Sequence, residues 1–200
     1  IYVKGYKQVS HTGGLEGIVT QVTLLPELNL GIIVLTNQQS GAAFNAITNT
    51  IKDSYLGIQS EDYVTVYSNR MKANEETDDK VTTEVWNTVA KNKKEKLKID
   101  FDTFTGTYKD NWFGEIVLSE KKGKLYFNSK RSPQLSGEVF FYKENNLVVK
   151  WNNAYFHADA HLLFECDKNG KSIGLKMKPI SEATDFSYDF QDLDFKRVSN

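Results

Sequence analysis

The sequence predicts an α+β chain. An N-terminal β-hairpin and a helix belong to a transpeptidase-like sheet, a helical connector follows, and the chain ends in an all-β small barrel or sandwich of seven to eight antiparallel strands. Three observations carry this. Residues 18–57 pass from strand-like apolar patterning to an apolar repeat at three- and four-residue spacing. Residues 58–98 are dominated by Glu, Asp, Lys, Asn and Thr, with sparse apolar anchors. From residue 99 onward, short aromatic and β-branched runs alternate with turn signals. The predicted divisions are therefore 1–57, 58–98 and 99–200.

In the first block, Val19, Gln21 and Thr23 alternate with Thr20, Val22 and Leu24, and Pro26–Asn29 reads as a turn. Leu30–Thr36 is almost continuously apolar and rich in β-branched residues. That composition predicts a strand buried on both faces, paired antiparallel with the preceding one. A helix follows. Ser40 is expected to cap its N-terminus. Phe44, Ile47, Ile51 and Tyr55 form its apolar face, and Gly57 ends it in a left-handed cap.

In the connector, Val81, Val85 and Val89 are four apart and predict a helix. Lys91–Lys98 holds five lysines. No aromatic residue interleaves with them as a single-strand platform requires, so they read as a solvated helix end or linker. In the β segment, strands are expected over 113–118, 125–128, 139–143, 147–151, 154–165, 172–177 and 186–198. Lys122-Gly123, Ser136-Gly137, Asn145-Asn146 and Asn169-Gly170 are expected as turns.

Composition narrows the function. The chain is 40% hydrophobic and 26% charged, with a net charge of −1. No global field directs it to nucleic acid or to an anionic membrane. The single cysteine, Cys166, excludes an intramolecular disulfide and reads as a buried thiol. No run approaches the ~18 apolar residues of a membrane span. The first block raises a packing problem: two strands and one helix cannot cover a doubly buried strand. Either the β segment covers it, or the chain is the C-terminal part of a longer protein. The second is expected.

The residues GYKQVSHTGGLEGIVTQVTLLPELNLGIIVLTNQQSGAAFNAITNTIKDSYLG, 5–57, resemble the C-terminal end of the serine β-lactamase-like hydrolases. That superfamily includes class C β-lactamases, DD-peptidases and related penicillin-binding-like esterases. The resemblance is to the branch whose third motif is His-Thr-Gly. From about residue 100, FTGTYKDNWFGEIVLSEKKGKLYF resembles a β domain of uncharacterised function appended C-terminal to such hydrolases. The resemblance implies a parent enzyme that forms an acyl-serine, with an acyl-type small molecule or a cell-wall peptide as substrate and no cofactor. The parent's place would be the periplasm or the cell surface. It implies that His11 stands near the substrate carboxylate or proton relay and that Thr12 offers its hydroxyl to that carboxylate. Gly13 would let substrate backbone approach. The Gly14 amide would be one oxyanion donor, a contribution worth ~3–4 kcal/mol in the transition state.

The companion motifs occur only out of order. Ser119-Glu-Lys-Lys122 matches Ser-x-x-Lys but lies at a strand end after the His motif. Tyr67-Ser-Asn69 and Tyr126-Phe-Asn128 match Tyr-x-Asn in the same wrong order. A cleft wall without nucleophile and base cannot run acyl transfer, so this chain alone is expected to be inactive. The alternative reading is a ligand- or cell-wall-binding barrel module. For it, Trp112, Trp151 and Tyr155 are candidate sugar-stacking residues, the competing role being barrel filling. His157, Asp159 and His161 alternate, which would put them on one face of a strand; such a set could hold Zn²⁺, but the polar outer face of a barrel strand explains the same pattern and is the reading preferred. No metal is expected.

Overall fold

The computed structural model describes residues 1–15, 17–97 and 99–198, with the side chains of all of these except 75 and 77–79. Contacts divide the chain into two compact units, Ile1–Glu76 and Thr77–Asn200.

The first unit opens on a two-residue hairpin, β1 (Tyr2–Val3) and β2 (Tyr6–Lys7). A three-stranded antiparallel sheet follows: β3 (Val9–Leu15), β4 (Ile18–Leu25) and β5 (Leu30–Leu35), in that spatial order. The sequence predicted the β4–β5 pair, and β3 adds a third strand at one edge. The Pro26–Asn29 turn is a 3-10 turn over Pro26–Leu28, closed by Asn29 at φ 47°. Helix α1 (Gly41–Leu56) backs the sheet, with Phe44 packed on Ile32 and Val34. Gly57 ends it at φ 62°, its N–H bonding to the carbonyls of Asp53 and Ser54.

Three local expectations fail here. Ser40 precedes α1 but makes no side-chain cap; its hydroxyl donates to Met71 Sδ at 3.3 Å. Of the predicted helix face, only Phe44 is buried, on Ile32 and Val34; Ile47, Ile51 and Tyr55 are exposed, and buried Asp53 lies half a turn round the helix from Phe44, bonded to Tyr63. Strand β5 is buried on one face only. Ile32 and Val34 meet α1, whereas Ile33 and Leu35 are 67% and 73% exposed. A continuous apolar run cannot distinguish a strand covered twice from one with an open apolar side.

Helix α2 (Tyr63–Lys94) is one continuous element. In the first unit, the Tyr63 hydroxyl donates to buried Asp53 at 2.7 Å. That bond, reinforced by burial, pushes the phenol up to about 12. The helix that the valine spacing predicted is present; in the second unit Val85 and Val89 pack on Val148 and Ile180, while Val81 is exposed. The lysine run closes the helix at Lys94; Lys98 lies outside the described residues.

The second unit is a closed eight-stranded barrel in which sequential strands are neighbours. Its strands are β6 (Gly106–Asp110), β7 (Gly114–Lys121), β8 (Lys124–Ser129), β9 (Ser136–Lys143), β10 (Asn146–Trp151), β11 (Ala160–Cys166), β12 (Ser172–Pro179) and β13 (Asp194–Arg197). A short helix α3 (Phe101–Phe104), capped by Asp100, leads in. Inward positions carry Tyr108, Ile116, Leu118, Leu125, Phe127, Leu147, Leu162, Leu175 and Phe195, all essentially without solvent contact. An eight-stranded barrel is just wide enough for side chains to fill, and this one is filled by its own.

Details differ from expectation where glycine and turn chemistry decide. Ser136-Gly137 is strand, not turn. A Cβ on Gly137 would stand 2.2 Å from the Lys150 carbonyl oxygen, so only glycine permits this approach of β9 to β10. The Phe127 and Trp151 rings then meet edge-on from either side of it, centroids 5.3 Å apart. The segment expected as strand over 154–165 begins only at Ala160. Residues 186–192 form two 3-10 turns with Asp189 at φ 52°, which leaves a short β13.

Candidate functional site

The His-Thr-Gly-Gly segment lies within β3, the free edge of the first unit's sheet, and every residue of β3 is exposed. Side chains alternate along a strand, and directly paired residues share a face. Register therefore decides what surrounds each motif residue. His11 pairs with Val22, and Gly13 pairs with Thr20. Both lie on the face away from α1. That face also carries Val9, Leu15, Ile18, Leu24, Ile33 and Leu35, all exposed. Thr12 pairs with Gln21 and takes the α1 side with Gly14.

The two glycines differ. A Cβ on Gly13 would meet Thr20 Oγ1 at 2.8 Å, while one on Gly14 would meet nothing within 4 Å. The open apolar face beside His11 is the uncovered side that the packing argument anticipated, and the strand register fixes which residues form it. Its signal was present: the outward residues of β4 and β5 are as apolar as the inward ones.

Each out-of-order motif lies on its own element. Ser119 lies within β7 opposite Tyr126, and Lys122 sits in the following turn at φ 55°. Tyr67-Ser-Asn69 is on α2, and Tyr126-Phe-Asn128 is on β8.

In the second unit the proposed aromatic set divides. Trp151 is 4% exposed and fills the barrel, its indole N–H donating to the Ala158 carbonyl at 2.7 Å. Trp112 and Tyr155 are 59% and 84% exposed, in loops at the same end of the barrel. A run of rings leads from the core to that end: Phe127, Trp151, Phe190, Tyr188 and Phe156.

The alternating histidine segment is only partly strand. His157 and Asp159 precede β11 in a loop, and His161 lies within it. His161 bonds through Nδ1 to Asn146 Oδ1 at 3.1 Å. Burial holds its pKa down, helped by Lys178 and Lys143. Asp159 accepts from the Trp151 backbone N–H at 3.2 Å. Burial pushes its carboxyl pKa up, against the lowering effects of that bond, Lys150, His157 and the Trp86 indole. Among the described residues, no three His, Cys, Asp or Glu side chains come together as a metal site.

Fold and site define a chain with a helix-backed sheet that presents an exposed motif edge, and a self-filled, closed antiparallel barrel domain. The barrel carries the family assignment. The chain belongs to the family described as Domain of unknown function (DUF3471), whose model matches residues 79–197, more than half of its length. No curated protein matches the chain.

Proposed function

We propose that residues 1–57 are the C-terminal piece of the catalytic domain of a β-lactamase-related serine hydrolase, and that residues 99–200 are its accessory barrel. One observation carries the reading: the apolar sheet face on which His11 and Gly13 stand is open to solvent. Isolated soluble units rarely leave so large a contiguous apolar surface uncovered. The remainder of a hydrolase domain, bearing the nucleophile and base, is the occupant this reading assigns to it. The exposed Ile51 and Tyr55 of α1 share the Phe44 side of the helix and suit cover by further strands of the same sheet. Domains of the matched family commonly stand C-terminal in β-lactamase-family proteins, which supports the same parentage.

In that parent, His11 and Thr12 line the substrate side of the cleft, Gly13 admits substrate backbone, and the Gly14 amide donates to the oxyanion. The substrate class is an ester, β-lactam or peptide acyl group, and the place is the periplasm or cell surface. Residues 1–200 alone lack a nucleophile in the required setting. The test is hydrolysis of nitrocefin and a p-nitrophenyl ester by the isolated chain. No turnover is expected, and turnover lost on Ser119→Ala would overturn the reading. The second reading, a ligand-binding barrel module, is favoured by a pocket on the barrel's outer wall. The filled barrel interior speaks against a ligand inside it.

A further inference from the structure

A cavity of about 460 Å³ opens on the second unit between the C-terminal end of β10, the loop before β11 and the segment after β12. Its polar wall holds Asp159, Lys150, His157, Asn153 and Ser181, with Phe156 on the apolar side. Asp159 makes no ion pair among the described residues. Its carboxylate accepts from a neutral donor, the Trp151 backbone N–H at 3.2 Å, and the neutral Trp86 indole acts on it from the side. Lys150 is held beside it, its ammonium 4.9 Å from the centre of the Trp86 ring. The cavity therefore presents one negative and one positive group that make no ion pair with each other or with any other described side chain. A carboxylate taken partly out of water gains more from a cation than from a neutral hydroxyl. A net-neutral pocket of this size fits a compact ligand that supplies both charges.

We propose that this cavity binds a small zwitterion of amino-acid or dipeptide size. The ligand's ammonium sits on Asp159, its carboxylate on Lys150 with His157 beside it, and its side chain against Phe156. The proposal is independent of the hydrolase reading, since it involves only the barrel unit.

Alanyl-alanine is the probe, titrated calorimetrically into the full 200-residue chain. Two blocked forms, N-acetyl-alanyl-alanine and alanyl-alanine amide, remove one charge each. Saturable binding is expected for the free dipeptide, with at least a tenfold loss on acetylation and a similar loss for Asp159→Asn. That variant keeps an acceptor for the Trp151 N–H. Amidation and Lys150→Met are each expected to weaken binding severalfold. No saturable binding of the free dipeptide overturns the proposal. So does equal affinity for the acetylated form, or binding of a neutral sugar such as N-acetylglucosamine in its place. The blocked ligands test the parent chain, so the outcome stands even if a variant fails to fold.

Discussion

Arg197 closes the barrel, and its removal has a calculable consequence. The seam between β13 and β6 is short: Lys196 pairs with Lys109 and Arg197 with Tyr108. The guanidinium spans this seam. Nη1 donates to the Thr103 and Ser172 carbonyls, each at 3.0 Å, and to the Tyr108 hydroxyl at 3.4 Å; Nη2 donates to the Thr105 carbonyl. No carboxylate pairs with Arg197 among the described residues. Its anchoring is thus by carbonyl dipoles, with the Tyr108 ring 5.5 Å away. Hydrogen bonds to a charged group contribute roughly 1.5–3 kcal/mol each, and acceptors left buried without donors add to the loss. Three such carbonyls, less the recovered hydration of the guanidinium, put Arg197→Met at about 3 kcal/mol. For a unit of this size that is a fall of about 10 °C in its melting temperature. All three tryptophans, Trp86, Trp112 and Trp151, lie in the second unit, so tryptophan fluorescence reports its unfolding. Arg197→Lys keeps the charge but not the fork, and falls between the two. A loss under about 0.5 kcal/mol for Arg197→Met, or a lysine variant equal to the parent, would refute the reasoning.

Gly137→Ala forces a Cβ against the Lys150 backbone and is expected to cost about 2–3 kcal/mol or to prevent folding, by urea denaturation. Gly14→Ala meets nothing within 4 Å and should leave stability unchanged. Ile33→Lys with Leu35→Lys is expected to reduce binding of an apolar fluorescent dye while leaving secondary structure, by circular dichroism, intact. Asp110 is pushed up by burial, but the N–H groups of Phe113, Asp194 and Trp112 outweigh this and hold it below the usual carboxylate range. Its stabilisation is therefore full above the unfolded pKa of about 3.9 and fades as pH falls through the lower folded value. Asp110→Ala should flatten the acid limb of a stability–pH curve, and an unchanged limb would count against this role.

The barrel was legible because half-covered strands alternate and glycine turns punctuate them. Lys122-Gly123 and Asn169-Gly170 sit at turns as read, and Val81, Val85 and Val89 lie on a helix as their spacing predicted. What stayed hidden depends on partners distant in sequence. Ser136-Gly137 has turn composition, but its glycine serves close strand approach. Phe186–Asp192 alternates like a strand, yet the Asp185 side chain caps a 3-10 turn by accepting from the Ser187 N–H at 2.9 Å. Trp151 and Tyr155 are near neighbours in sequence, but strand phase buries one and the loop exposes the other. Trp151, His157 and Asp159 of the zwitterion cavity were singled out in the sequence, but their joining with Lys150 and Ser181 could not be read, since these converge from separate segments.

Mapping the acylated residue tests the hydrolase account most directly. The complete translated protein that contains this chain is treated with a fluorescent penicillin or an activated ester, digested, and the labelled peptide sequenced by mass spectrometry. The account predicts a single acyl-serine outside residues 1–200, and slower acylation in the His11→Ala variant. A label on Ser119, or on any other residue of the chain, would contradict it, as would a complete protein that is never acylated.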